Sequence, residues 1–469
     1  MGRTAPSPGL EPGLLVEVPE RHPPGRDVRI EAHVRIEAVA VGPRDAVPAA
    51  GLALVIAVDV AASRRAAAVD ALADAVGALP DGISYTVLDG EASRCYPLHG
   101  RWAVADTDDR RRAAFSVGRI AAAPAVRRPA GYARWLAGAR ELFADSALPV
   151  RHLVLITDGS GRGEDGDAYR EDSALRTELA RCGGEFTADV LAVGESWDPA
   201  PLIAVAERLH GDAAYAPDAF APAVAAAVGR LRRIRSPALP LTVTVRPAVR
   251  EVTLTETAPR QQRLDPAGDG DDPRRLEFLT RQWKPETRDY LLSLRVDAGN
   301  DPLGVPLQLA TVTVGDITEP VVVRWLPAGA AAATADHSGG ADRSVHAMNA
   351  STEIRTALRR AYDALDRERH GEAEKQFGRA VRLAAGIGAT WVPAEVRNIA
   401  EIVDEREGRV RIGPTVDRGT VRRGRLSIAS AHRVEPPEGP AAGPTARCPG
   451  CEHPAGHAAR FCIACGRRL

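Results

Sequence analysis

Residues 55–65, VIAVDVAASRR, decide the fold. An apolar run ends in Asp59, and a small-residue turn leads through Ser63 into SRRAAAVDALADAVGAL, whose apolar residues have helical spacing. A strand that hands its last residue to a helix N-terminus opens a βαβ unit. The same turn gathers a carboxylate and a hydroxyl, oxygen donors of the kind that suit Mg²⁺ or Mn²⁺.

Outward from this stretch the pattern repeats. ISYTVLD, RHLVLITDG and EFTADVLAVG are further apolar runs, separated by helical segments such as GYARWLAGARELFAD and DSALRTELARCG. Continuous apolar strands alternating with amphipathic helices imply a mostly parallel sheet covered on both faces. The expectation is a doubly wound α/β domain over residues 49–234. Ligands of such sheets bind at the carboxyl ends of the strands, where Asp59 and Asp158 (in ITDGS) both fall.

The flanks read differently. Residues 1–13 are rich in Pro and Gly and are expected to be disordered. Residues 14–48 and 238–327 alternate apolar and polar positions, as half-buried antiparallel strands do. The first group has no sheet of its own, so the two are expected to form one β-sandwich with the α/β domain inserted between them. A linker over 328–347 leads to a helical hairpin with a short β-hairpin at 348–434, then a second linker at 435–446 and a cysteine tail at 447–469. Within the helical region VPAEVRNIAEIVD reads as a third helix, and GRVRIGPTV with RGRLSIASAHRV as the β-hairpin.

The tail holds Cys448-x2-Cys451 and Cys462-x2-Cys465. Two such pairs form a tetrahedral Cys₄ shell suited to Zn²⁺, closed and therefore structural. His453 and His457 are nearby substitutes, and Phe461 offers a small apolar plug. In an oxidising compartment the same thiols would pair as disulfides. Cys95 and Cys182 are isolated and read as buried thiols.

Composition removes several classes. The 469 residues call for two to four domains, and the net charge of −1 with 45% hydrophobic content describes folded units. Lys284 and Lys375 are the only lysines, so the 61 basic residues reflect an arginine-rich codon usage more than a nucleic-acid footprint. No run of about 18 apolar residues occurs and the N-terminus lacks a signal-peptide core, which points to a cytoplasmic protein. No nucleophile elbow, P-loop or dinucleotide fingerprint is present. His99, His152 and His210 have no acidic partner in the local sequence, and GSGRGEDGD lacks the spacing of a Ca²⁺ loop. A hydrolase built on the carboxylate pair Asp59 and Asp158 is the enzymatic alternative.

A strand ending in Asp with small hydroxyl residues, followed about a hundred residues later by a strand ending in TDG, resembles a von Willebrand factor A (VWA) domain. In its bacterial, notably actinobacterial, layout the resemblance extends over about residues 14–434. The family's metal-ion-dependent adhesion site uses a D-x-S-x-S turn, a Thr from a middle loop and a late Asp to hold a metal that accepts a partner's acidic side chain. Asp59 matches the first Asp, Ser63 the second Ser and Asp158 the late Asp. Ala61 replaces the first Ser, and the middle loop RRPAG offers Ala130 in place of the Thr. The resemblance thus implies a degenerate site, with Mg²⁺ or Mn²⁺ held weakly at best, and Asp59, Ser63 and Asp158 serving instead as caps of turns and helix starts. It further implies a non-enzymatic scaffold that binds proteins, a MoxR-type AAA ATPase being one candidate partner. The alternative is a nucleic-acid-binding regulator acting through the tail, with Arg460, Arg467, Arg468 and the basic run TVDRGTVRRGRLS.

Overall fold

The computed structural model describes residues 10–19, 21–40, 51–60, 64–89, 93–118, 131–159, 165–216, 220–267, 272–327, 340–429, 446–447 and 454–455. The four tail cysteines, Ser63, Ala61 and Ala130 lie outside the described residues.

The chain opens with strands β1 (Leu10–Glu17), β2 (Arg21–His22) and β3 (Val28–Ala40), then enters the α/β domain. There it runs β4 (Leu52–Asp59), α1 (Arg65–Gly77), β5 (Ser84–Asp89), β6 (Ser93–Tyr96), β7 (Ala103–Val104), α2 (Thr107–Gly118) and α3 (Tyr132–Ala144). It continues through β8 (Val150–Thr157), α4 (Asp165–Cys182), β9 (Thr187–Ala192), α5 (Pro199–Arg208), β10 (Ala213–Tyr215) and α6 (Ala221–Leu231). The sheet order is β10-β9-β8-β4-β5-β6, with β7 also paired to β5. The first five of these strands are parallel, and β6 and β7 are antiparallel to β5.

All eight residues of β4 are buried, which is why that segment reads as an unbroken apolar run. Leu52, Leu54, Ile56 and Val58 face the core under α1 and α6, while Ala53, Val55 and Ala57 face the one under α3, α4 and α5. Chain order reverses between β4 and its neighbour β8, so the ends of these two strands form the switch point.

After α6 the chain forms β11 (Ser236–Val245), β12 (Val249–Ala258), β13 (Gln262–Leu264), β14 (Arg275–Trp283), β15 (Glu286–Val296), β16 (Pro306–Val314) and β17 (Ile317–Trp325). Two five-stranded sheets result, β1-β3-β15-β12-β13 and β14-β11-β16-β17-β2, so strands from before the α/β domain pair with strands from after it. Their inward residues, among them Ile30, Val34, Tyr290, Leu292, Val243, Val312 and Trp325, share one core. Strand β1 corrects the disordered reading of residues 10–13, because Leu10 pairs with Ala40 and Pro12 with Ala38. Its Pro and Gly are tolerated because β1 is an edge strand that needs one ladder only.

The two-sheet unit holds the α/β domain from below. Arg281 Nη2 donates to the Gly184 carbonyl at 2.5 Å, Gln262 Nε2 to Glu207 at 2.5 Å and Arg260 Nη1 to His210 at 2.5 Å. These carbonyls lie at the C-terminal ends of α4 and α5, where guanidinium groups complement the helix dipole.

The helical unit comprises α7 (Gly340–Asp366), α8 (His370–Ile387), α9 (Trp391–Arg397), β18 (Ala400–Asp404), β19 (Arg409–Ile412) and α10 (Arg418–Ala429). Helix α7 starts inside the stretch that composition assigns to a linker. The third helix ends at Arg397, and its second half is β18, which pairs with β19. RGRLSIA, expected as a strand, is helix α10. Its Val421 and Ile428 face the core of the helical unit whereas Leu426 faces the α/β domain, and burial on two sides makes a helix look like an alternating strand.

Candidate functional site

The register of β4 against β8 sets Asp59 beside Thr157 at the carboxyl rim. The Thr157 hydroxyl donates to Asp59 Oδ2 at 2.9 Å and accepts the Gly159 N–H at 3.0 Å, so one side chain ties the first strand end to the following turn. The Asp158 N–H donates to the Asp59 carbonyl at 3.1 Å. From α3, the wholly buried Trp135 adds an indole N–H donor to the Asp59 carboxylate. Gly159 has φ +80°, and a Cβ there would lie 2.5 Å from the Trp197 backbone, so only glycine closes this turn.

Asp59 is 3% exposed. Burial pushes its carboxyl up to about 7; the Thr157 and Trp135 donors oppose that push, and the Asp158 and Glu171 carboxylates add to it. A carboxyl that is 3% exposed and already held by two protein donors leaves little oxygen for a hard dication to reach, so the fit of Asp59 to Mg²⁺ or Mn²⁺ is poor. Among the described residues no group of three or more His, Cys, Asp or Glu is placed to hold a metal. The N-cap of α1 is Arg64, with no side-chain cap bond, and the Asp59 carboxylate turns to Thr157 instead.

Residues 52–215 match the sequence profile of the von Willebrand factor type A domain. The chain carries a VWA domain. Among solved structures, a von Willebrand factor type A protein from Catenulispora acidiphila superposes with a TM-score of 0.74 at 21% identity, covering 92% of this chain and 98% of the other. The ArnB paralog VWA2 from Sulfolobus acidocaldarius follows at 0.52 and 11% identity, covering 89% and 98%. At these identities the likeness is one of fold. No curated protein sequence matches the chain.

A second polar cluster sits at the opposite end of the VWA sheet. His152, 1% exposed, shares its Nδ1 with Thr187 Oγ1 at 2.7 Å, and Gln282 of the two-sheet unit donates to the same hydroxyl at 2.6 Å. His152 Nε2 lies 3.5 Å from Asp189 Oδ2, which Arg230 Nη2 approaches to 2.7 Å. The Asp212 N–H donates to Asp189 Oδ1 at 2.8 Å. Burial works to raise the Asp189 carboxyl, but His152 and Arg230 outweigh it and hold the group below the usual range. A cavity of about 70 Å³ opens beside these groups, room for a few waters. No local sequence signal marks this cluster, since its members come from β8, β9, α6, β14 and the segment before β10.

The remaining candidates stand apart from both clusters. His210 is driven down to about 3 by burial and by Arg260, Arg281, Arg288 and Arg208, so it stays neutral, and His99 stands exposed on a loop. Burial pushes the Cys182 thiol up to about 12, leaving almost no thiolate near neutral pH. Cys95 is half-buried and donates to the Val87 carbonyl at 3.4 Å.

Proposed function

We propose that this chain is a non-enzymatic protein-binding scaffold whose VWA rim works without a metal ion. One observation carries the reading: the Asp59 carboxyl is sealed by the Thr157 hydroxyl and the Trp135 indole. A rim so built recognises a partner through surface shape and charge rather than through a bridging cation. The two-sheet unit, the helical unit and a structural Zn²⁺ site on Cys448, Cys451, Cys462 and Cys465 add further docking surfaces. We place the protein in the cytoplasm, and none of the described helices is long and apolar enough to cross a membrane. A MoxR-type AAA ATPase is the partner class that we put forward, on family resemblance alone.

The nucleic-acid reading loses part of its sequence support. Within the basic run, Arg418 pairs with Glu368 at 3.3 Å, Arg423 with Asp417 at 3.4 Å and Arg425 with Asp363 at 3.1 Å, while Arg422 donates to the Glu195 carbonyl. Each of these arginines has a partner within the molecule, though Arg418 and Arg423 stay exposed, so the run offers phosphate fewer unpaired charges than its composition suggests.

Calorimetric titration of the full chain with Mn²⁺ tests the rim. The expected result is no heat from a site tighter than millimolar. A one-to-one micromolar site abolished by Asp59→Ala would refute the metal-free reading.

A further inference from the structure

The rim is not fully open, because a helix of the chain's own helical unit reaches it. Helix α10 lies against β10 and α5 at one edge of the VWA sheet. Its Arg422 donates to the carbonyl of Glu195, just past the carboxyl end of β9. Its Arg423 stands over the ring of Tyr215, the last residue of β10, at 5.6 Å. Leu426 enters the VWA core beside these contacts and is 1% exposed. Two of the rim's strand ends are thus covered by a segment more than two hundred residues away in the chain.

The helix is shared unequally. Val421 and Ile428 belong to the core of the helical unit, and Gly424 lets the Tyr362 ring approach so closely that a Cβ would lie 2.3 Å from it. To the VWA domain α10 gives one buried apolar side chain, Leu426. Among the further contacts between the two bodies, Arg359 meets Glu207 at 2.7 Å with both side chains more than a third exposed, a geometry that contributes little in water. At its far end the helical unit rests on the two-sheet unit through Leu291, Val345 and Met348, with Asn349 donating to Glu31 at 2.6 Å. Each body has a large core of its own, and the seam between them is thin. Such seams open before the bodies they join unfold.

We propose that α10 is a cis-acting latch on the VWA rim. Docked, it covers the β9–β10 side; when the helical unit lifts away, that side becomes available to the protein partner. The role given to the partner rests on the scaffold reading above, but the latch itself is testable without any partner. In hydrogen exchange on the full chain, Leu426→Asp should speed exchange at least tenfold in β10, α5 and the segment around Glu195. It should leave α7 and α8 protected and raise the radius of gyration in solution scattering. Arg359→Glu should act in the same direction more weakly, and adding Glu207→Arg should restore the wild-type pattern. Unchanged exchange at the rim in both variants would overturn the latch. So would loss of protection in α7 and α8 together with the rim, since the bodies would then unfold as one. If Leu426→Asp does not fold, Leu426→Ala decides by the same exchange readout, since it removes the buried contact without placing a charge in the core. Metal binding in the Mn²⁺ titration would defeat the metal-free rim and leave these outcomes untouched.

Discussion

Asp59 and Asp189 sit at opposite ends of the same parallel sheet, and both are almost wholly buried. Their fates differ because their neighbours differ. Asp189 has Arg230 at 2.7 Å and His152 at 3.5 Å, and it stays ionised in spite of its burial. The groups that act most on Asp59 are a hydroxyl, an indole and two further carboxylates, and its carboxyl rises to about 7. Neutral donors soften the desolvation of a buried carboxylate, but here only a cation reverses it. The foot of the VWA domain is therefore built as an ion-pair joint, and the rim as a proton-holding plug.

The largest expected loss of stability is at the foot. Asp189→Asn should destabilise the protein by about 2 kcal/mol in urea unfolding, because it removes the nearer of Arg230's two carboxylate partners, Asp212 remaining at 3.6 Å, and weakens the hold on the strand ends of β9 and β10. A loss below about 1 kcal/mol, the scale of an exposed pair, would mean that the cluster is solvated and the contrast with the rim is false.

The opposite sign is expected at the rim. The folded-state value of Asp59 lies above its unfolded value of 3.8, so folding favours the protonated form. That contribution is complete below about pH 4 and is lost as pH rises through 7. Asp59→Asn keeps the shape and the oxygen acceptor but cannot ionise. The variant should match the wild type near pH 4 and exceed it by about 2 to 4 kcal/mol at pH 8, since each tenfold change in proton affinity is worth about 1.4 kcal/mol. Melting curves across pH 4–9 check this. Wild-type stability that stays level relative to the variant from pH 4 to 9 would show that Asp59 is an ordinary ionised carboxylate.

How much of this was legible depends on how far each signal reaches along the chain. The parallel strands announce themselves because burial on both faces leaves no polar position in β4 before its terminal Asp59. Asp59 and Asp158 fall at the rim because a strand followed by a turn is a local pattern. Trp135 was hidden: in GYARWLAGARELF it reads as a core residue of an amphipathic helix, and only the packing of α3 on the sheet brings its indole N–H to Asp59. Thr157 was in plain view within TDG, yet its hydroxyl acts across to β4. The His152, Asp189 and Arg230 cluster joins two strands and a helix, so no local spacing could reveal it. Helix α10 reads as a strand because Leu426 and Ile428, two residues apart, are buried by two different bodies, so GRLSIA alternates over a short stretch.

The smallest effect separates a plug from a bystander. Trp135→Phe keeps an aromatic ring in the core beneath α3 and removes only the indole N–H, a hydrogen bond expected to contribute about 1 kcal/mol. That donor pulls the Asp59 carboxyl down, so its loss should move the midpoint of the pH-dependent stability change above 7. An unmoved midpoint would remove Trp135 from the site and leave Thr157 as the carboxyl's main donor. The same variant also asks what the indole displaced. If freeing that acceptor lets Mn²⁺ bind in calorimetry where the wild type shows no site, Trp135 is a plug in an otherwise workable cation site. If the variant stays inert, the missing hydroxyls at Ala61 and Ala130 are enough to abolish binding, and the indole fills space that no ion would take.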